Sequence, residues 1–317
     1  MEVGGVLGYA VFFLSLVAIY GVVALGLNLQ WGLTGLFNIG VAGFFAVGAY
    51  AAAILTTPPS PHHLGGLALP FGVGAVAAMV LSGILALLVG LVTLRLRTDY
   101  LAIATIGIAE IVRLIFKNEA WLANGVRGVP GIPRPLSGGP LDYLLLLAVI
   151  LAAVYIALES ARRSPWGRVL RAIREDEAAA EAAGKNVFRF RLEAFVLGSM
   201  VMGLGGALYA HFVGFVSPEA FEPLYGTFLV WVMLIAGGSG NNRGALLGAL
   251  LIWLVWSGTE ILTARLPADL VTQAGALRVL LIGVLLQVIL LWRPQGLLPE
   301  HRPRINAEEG DAPEPRG

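Results

Sequence analysis

Long apolar runs separated by short polar ones make up most of the chain. A membrane-crossing helix needs about 20 consecutive, mostly apolar residues. Such runs lie near 6–29, 34–56, 68–94, 99–118, 141–160, 192–215, 225–239, 244–264 and 275–292. They predict an all-α polytopic membrane protein with nine crossings, within a range of eight to ten. Between Val3 and Leu55 there is no Lys, Arg, Asp or Glu, and Asn28, Gln30, Thr34 and Asn38 interrupt the run close together. That segment holds either two spans joined by a short turn or a broken, re-entrant helix. A break at membrane depth is tolerated only where protein or water satisfies the backbone, and transporters place such breaks beside their substrate. On that reading Asn28, Thr34 and Asn38 are pathway candidates.

Basic residues set the orientation. The first 94 residues contain no Lys or Arg, whereas eight of the 21 lie between Arg162 and Arg191. The 162–191 loop is therefore expected in the cytoplasm. Alternating outward from it puts Arg95, Arg97, Arg293, Arg302 and Arg304 inside, and the 57–67 and 216–224 loops outside. The N-terminus is then outside and the C-terminus inside, with Arg127 and Arg134 as external exceptions. Glu2 stands where a cleavable signal would carry basic residues. Residues 1–298 form the transmembrane domain on this reading. The polar, Pro-containing segment 299–317 is an expected disordered cytoplasmic tail.

Composition agrees with a membrane setting. The 317 residues are 57% hydrophobic and 13% charged, about half the charge of a soluble domain, and the mean hydropathy is +0.81. A net charge of +1 offers no basic field for nucleic acid. With no cysteine, disulfides, thiol catalysis and Cys-based metal sites are excluded. His62, His63 and His211 lack a third ligand or a convincing partner, so no metal site is expected. No Gly-x-x-x-x-Gly-Lys-[Ser/Thr] loop occurs; Gly237–Gly244 lacks the Lys-[Ser/Thr] ending. No cofactor is expected in this chain, and ATP hydrolysis by that route would have to come from a partner.

Four groups of residues are candidates for function. In the basic loop, Pro165 can open a helix and Gly184 can close it. Val169, Leu170 and Ile173 make a short apolar stripe, flanked by Arg168, Arg171 and Arg174 and followed by Glu175, Asp176 and an Ala-rich run. Such a helix suits close approach by a partner with charge pairing at its flanks; a solvated loop is the plain alternative. In the 99–118 run, Thr105, Glu110 and Arg113 share a helix, and Glu110 and Arg113 stand at i, i+3. Intramembrane charge is expensive, so the pair marks a substrate path or gate, a structural ion pair, or the outer interface. Gly240, Gly244 and Gly248 form an i, i+4 series suited to close helix packing, with a second subunit as one candidate for the packed surface. Arg127 adds charge to an external mouth and is a candidate contact for a receptor.

Several stretches together resemble one family. Ala179-Ala180, three residues, then Gly184 is similar to the Glu-Ala-Ala-x-x-x-Gly coupling motif of ABC-importer permeases, with Ala178 at the Glu position and Glu177 one residue early. Leu94–Thr105, Glu110–Arg113, Gly131–Pro133, Arg171–Glu177, Gly214–Glu219 and Trp292–Pro299 extend the likeness in order over roughly residues 20–299. Together they resemble branched-chain amino-acid ABC permease subunits of the LivM type, whose relatives include permeases for urea and short amides. The resemblance implies an importer fold with internal inverted repeats, a sister permease, two cytoplasmic ATPases that bind ATP and Mg, and an external substrate-binding protein. It makes 165–184 the coupling helix, with Arg168, Arg171, Arg174, Glu175, Asp176, Ala179, Ala180 and Gly184 as ATPase-coupling residues. It places the chain in a prokaryotic plasma membrane. An autonomous secondary transporter and an intramembrane enzyme are the rivals from other classes. The first would need more ion-coupling residues than Glu110, and the second a convergent nucleophile and base.

Overall fold

The computed structural model describes residues 3–60, 64–95, 98–136, 139–263 and 271–300. His62, His63, Arg97 and the 301–317 part of the expected tail lie outside them. The first run forms α1 (Val3–Leu27), continued by a π-helical turn over Asn28–Gly32. An extended stretch at 35–40 separates it from α2 (Val41–Thr56). Then come α3 (Phe71–Thr93), α4 (Thr98–Asn118), the one-turn α5 (Ala120–Ala123) and α6 (Pro140–Arg163). Two short polar helices are next, α7 (Pro165–Glu175) and α8 (Glu177–Ala182), and then the long α9 (Val187–Val213). A second π-helical turn, Leu224–Phe228, leads into α10 (Leu229–Gly237), and the chain continues through α11 (Asn242–Thr263) and α12 (Val271–Trp292).

Each apolar run coincides with a helix. By length and composition alone, five described segments are able to cross a membrane: Leu7–Gly32, Phe71–Thr93, Pro140–Arg163, Val187–Val213 and Gly275–Trp292. The pair Leu224–Gly237 and Asn242–Glu260, bent by 120°, raises this to six if it counts as one broken span. The sequence-based range of eight to ten is larger for two physical reasons. Helix α2 has 16 residues, about 24 Å of rise against a hydrocarbon core of about 30 Å. Helix α4 carries Asp99, Glu110, Arg113 and Lys117.

The core is the contact of α1, α2, α3 and α9. In α1 and α9, 72% of the most apolar window is buried, against 11% in α6 and α12, so the first two are central and the last two peripheral. Glycines let the central helices touch backbone to backbone. A Cβ on Gly48 would overlap the Gly203 carbonyl, and one on Gly206 would overlap that of Phe45. The 240–248 glycine series packs inside the chain rather than offering a free face. Gly244 and Gly248 lie on α11 against Gly237, Gly238 and Met233 of the α10 end. Gly240 precedes α11 at φ +82, in the turn between the two helices.

Loops gather at two ends. At one, Val129–Pro130 (β1) pairs antiparallel with Phe215–Val216 (β2), Ile132 N donates to Gly214 O (3.1 Å), and Leu64 N to Trp121 O (2.7 Å). These join three loops that the charge pattern assigns to one side. At the other end lie α7, α8, the α1 break, the 238–241 turn and a strap of residues 293–300.

Candidate functional site

The α1 break is a buried polar junction. Asn28 is fully enclosed; its Oδ1 accepts from Gly240 N (2.8 Å) and its Nδ2 donates to Asn242 Oδ1 (2.9 Å). Asn242 Nδ2 donates in turn to Glu159 Oε2 (3.0 Å), which also holds Arg162 and Arg163. The ends of α1, α6 and α11 are thereby joined. Gln30 Nε2 donates to Phe195 O (2.7 Å) and Ser199 Oγ (3.0 Å) on α9, and its Oε1 accepts from Asn38 Nδ2 (2.7 Å). Asn38 Oδ1 caps Gly40 N (2.8 Å), Trp231 Nε1 donates to Asn38 O (3.0 Å), and Thr34 Oγ1 donates to Gln30 O. Thr105 Oγ1 on α4 accepts from Ile39 N (3.1 Å). The amides and hydroxyls therefore supply the partners that a broken helix needs away from water.

Asn28, Thr34, Asn38 and Thr105 thus converge on one junction, with their side chains bonded to protein. Glu110 and Arg113 do not join it. They form a bidentate pair along α4, at 2.6 and 2.9 Å. Arg127 is exposed at the end of a 3-10 turn, Gly125–Arg127, at the β1–β2 end.

The polar loop forms two helices, not the single 165–184 helix expected. Ser164 Oγ caps α7 by accepting from Gly167 N (3.3 Å), and Asp176 Oδ1 caps α8 by accepting from Ala179 N (3.0 Å). Asp is a strong N-cap former, and its extended φ/ψ of −153/104 divides the two. Gly184, at φ +77, closes α8. Leu170 and Ile173 turn inward, with Ile173 packed on Ala180 and Val187. Arg168, Glu175, Asp176, Ala179 and Gly184 are exposed, whereas Arg171 and Arg174 are half-buried and Ala180 is buried.

Arg174 points into the body of the protein. Its Nη1 donates to the Gly32 carbonyl at the end of the α1 break. Its Nη2 meets Glu300 Oε2 at 2.7 Å, and Arg171 lies 3.8 Å from the same carboxylate. Burial opposes the charge on Arg174, but the Glu175 and Glu300 carboxylates outweigh it and raise its pKa above the ordinary value. The strap that carries Glu300 is fixed to the α10–α11 turn. Leu297 N donates to Ala236 O (3.0 Å) and Leu298 N to Gly237 O (2.8 Å). Asn241 Nδ2 donates to Leu298 O (3.2 Å). Glu300, which lies just inside the 299–317 segment, is thus an ion-pair partner of Arg174.

Sequence reasoning noted Gln30 in the break without making it a candidate, and passed over Glu159, Glu300 and Arg278. Arg278 is the one charged residue in the 275–292 run, a signal that intramembrane charge rules recommend. Its guanidinium carbon sits 4.7 Å from the Trp256 ring centroid. His211 has the partners that sequence reasoning did not find. Its Nδ1 lies 2.8 Å from Ala207 O and its Nε2 3.1 Å from Thr56 Oγ1, with Phe71 edge-on at 5.0 Å. Among the described residues no group of three or more His, Cys, Asp or Glu could hold a metal.

Comparison with known proteins agrees with this architecture. The family described as "Branched-chain amino acid transport system / permease component" matches residues 9–290. The high-affinity branched-chain amino acid transport system permease protein LivM of Escherichia coli (strain K12) is 32% identical, over 94% of this chain and 72% of its own length. The probable branched-chain amino acid transport permease protein LivM of Methanocaldococcus jannaschii is 29% identical, over 89% of this chain and 91% of its own. The autoinducer 2 import system permease protein LsrC of Klebsiella pneumoniae is 29% identical over 56% of this chain and 51% of its own. No solved structure matches the chain. A multi-pass helical body and a family match spanning almost its whole length lead to one assignment: the chain belongs to the branched-chain amino acid transport permease component family.

Proposed function

We propose that this chain is one of two permease subunits of an ATP-driven importer for branched-chain or other hydrophobic amino acids in a prokaryotic plasma membrane. A sister permease completes the pore, an external binding protein delivers the substrate, and two cytoplasmic ATPases bind ATP and Mg and supply the energy. The chain itself hydrolyses nothing. The N-terminus and the β1–β2 end face outward and α7–α8 face the cytoplasm, in keeping with the concentration of Lys and Arg in the 162–191 loop.

The observation that carries the reading is Arg174, which ties the polar hairpin to Gly32 in the α1 break and to Glu300 on the strap over the α10–α11 turn. The exposed side of the hairpin, with Arg168, Glu175, Asp176, Ala179 and Gly184, seats on an ATPase. Arg171 and Arg174 pass the resulting displacement inward. Closure of the ATPase dimer then moves two broken elements at once, as in rigid-body switching about an interface. Asn28, Thr34, Asn38 and Thr105 hold the moving joint beside the pathway, and Glu110–Arg113 stiffens α4. Arg127 contacts the binding protein at the outer mouth.

The test is uptake into proteoliposomes containing this chain, its sister permease and both ATPases. Labelled leucine and labelled urea are compared, with and without internal ATP and external binding protein. Leucine uptake that needs both is the expected result. Urea uptake would change the substrate, and uptake by this chain alone would overturn the importer reading.

A further inference from the structure

A cavity of about 810 Å³ opens at the β1–β2 end, between the starts of α1 and α6, the end of α9, the Phe215–Tyr225 segment and α11. That volume lies within the about 300–1,000 Å³ of small-molecule sites. Its walls are mainly aromatic: Tyr20, Tyr143, Tyr209, Tyr225, Trp253 and Trp256 all line it. The rings brace one another, with centroids 5.1 Å apart for Tyr20–Trp253, 5.8 Å for Tyr225–Trp256 and 6.2 Å for Trp253–Trp256.

Its two charged lining residues are of opposite sign, Arg134 and Glu219. Both are exposed, and neither side chain has a hydrogen bond or ion pair to another described residue. Elsewhere Glu110, Glu159 and Glu300 are each paired to arginine. Among the described residues the enclosed indole N–H of Trp253 has no partner, and the same is true of Nε of Arg278, which stacks on Trp256. Enclosed donors without partners are rare and call for an explanation.

We propose that this cavity is a binding vestibule for a zwitterion with an apolar side chain. Arg134 takes the carboxylate, Glu219 takes the ammonium, and the aromatic walls take the side chain. The assignment rests on the importer reading above and adds to it the place where substrate first meets this chain. A neutral amide would use neither charge. A simple carboxylate would meet Glu219 as a like charge, and like-charge juxtaposition disfavours the wrong ligand. An aromatic wall also favours an ammonium group over its ring faces. Two sources share this chemistry, a free amino acid and a zwitterionic lipid headgroup, and the experiment separates them.

Ser217 lines the cavity, and the chain has no cysteine, so Ser217→Cys places a single thiol of this chain at the site. The assembled importer carrying Ser217→Cys is placed in nanodiscs, and the maleimide labelling rate at position 217 is read by mass spectrometry. Leucine-loaded binding protein is expected to slow labelling about threefold relative to empty binding protein, the protection given by two-thirds occupancy. Arg134→Gln and Glu219→Gln should each weaken occupancy about tenfold, the scale of one charge-assisted hydrogen bond, and so remove the protection. Both variants should still co-purify with the sister permease and the ATPases, which separates lost occupancy from lost assembly.

Equal protection by empty and loaded binding protein would overturn the vestibule, as would protection that survives both charge changes. In nanodiscs of phosphatidylglycerol alone, protection by leucine should persist. Slow labelling that requires phosphatidylethanolamine and ignores leucine would assign the cavity to lipid and overturn the proposal. Failure of the importer reading is seen separately, as wild-type complex with no uptake dependent on ATP and binding protein.

Discussion

Replacing Asn28 by Ala should show what the polar junction contributes. Its side chain is fully enclosed and serves two partners, Gly240 N and Asn242 Oδ1. Truncation leaves a buried backbone N–H without an acceptor, at a cost of about 1–3 kcal/mol. It also removes a hydrogen bond from Asn242, worth about 1 kcal/mol net. The sum is about 3 kcal/mol, roughly a 150-fold fall in the folded-to-unfolded ratio. Ser15→Ala is the control. Ser15 is equally buried on α1, but its hydroxyl donates only to Val11 O within the same helix (2.8 Å), so its loss should cost no more than about 1 kcal/mol. The assay is reversible unfolding of the purified subunit in mixed micelles, monitored by tryptophan fluorescence. A shifted midpoint at unchanged slope reports stability alone. If Asn28→Ala falls within about 1 kcal/mol of Ser15→Ala, the junction is solvated in a way that removes its importance, and the reasoning fails.

Arg174→Ala and Glu300→Ala should each slow ATP-driven uptake while the ATPases stay bound. The double variant should be no slower than the worse single one within about twofold, because the two side chains act as one tether; losses that multiply would refute it. Ala179→Trp, on the exposed side of α8, should release the ATPases on co-purification and leave the two permeases together; retained ATPases would remove the docking assignment. Gly248→Leu should abolish folding, since a Cβ there overlaps the Met233 carbonyl, whereas Gly258→Leu, with open space around it, should fold and insert. Equal yields of the two would contradict the α10–α11 packing.

Much of the fold was legible because apolar run length dictates a helix almost by itself, and each run became one. The 27–40 break was legible too, as amides and glycines inside an uncharged segment. The employment of those amides was not. Gln30 bonds to Phe195 and Ser199, and Asn28 to Gly240 and Asn242, and no local pattern encodes such distant partners. In the polar loop, helix signals at Pro165 and Gly184 were read correctly, but Asp176 is a better cap than a helix interior residue and split the element. The direction of Arg174 depended on Glu300, a residue that composition assigned to a disordered tail. Glu159 was hidden by its neighbours, since Arg162 and Arg163 were read only as markers of sidedness.

The spacing of the α1 junction has a consequence for how the protein is made. Gln30 waits for partners 165 and 169 positions later, and Asn28 for ones 212 and 214 positions later. At about 5–20 residues per second of synthesis, the second delay is roughly 10–40 s. During that interval the first apolar segment emerges from the ribosome with the Asn28 amide and the Gln30 Nε2 group still lacking these partners. Leaving them in hydrocarbon would cost several kcal/mol. The Asn28 end of α1 is therefore expected to stay at the headgroup boundary or inside the insertion machinery until α9 and α11 arrive, with its final depth set late. Settling of the first helix is therefore expected to depend on completion of the last third of the chain, and truncation after α9 should leave Asn28 without its partners as well as delete α10, α11 and α12.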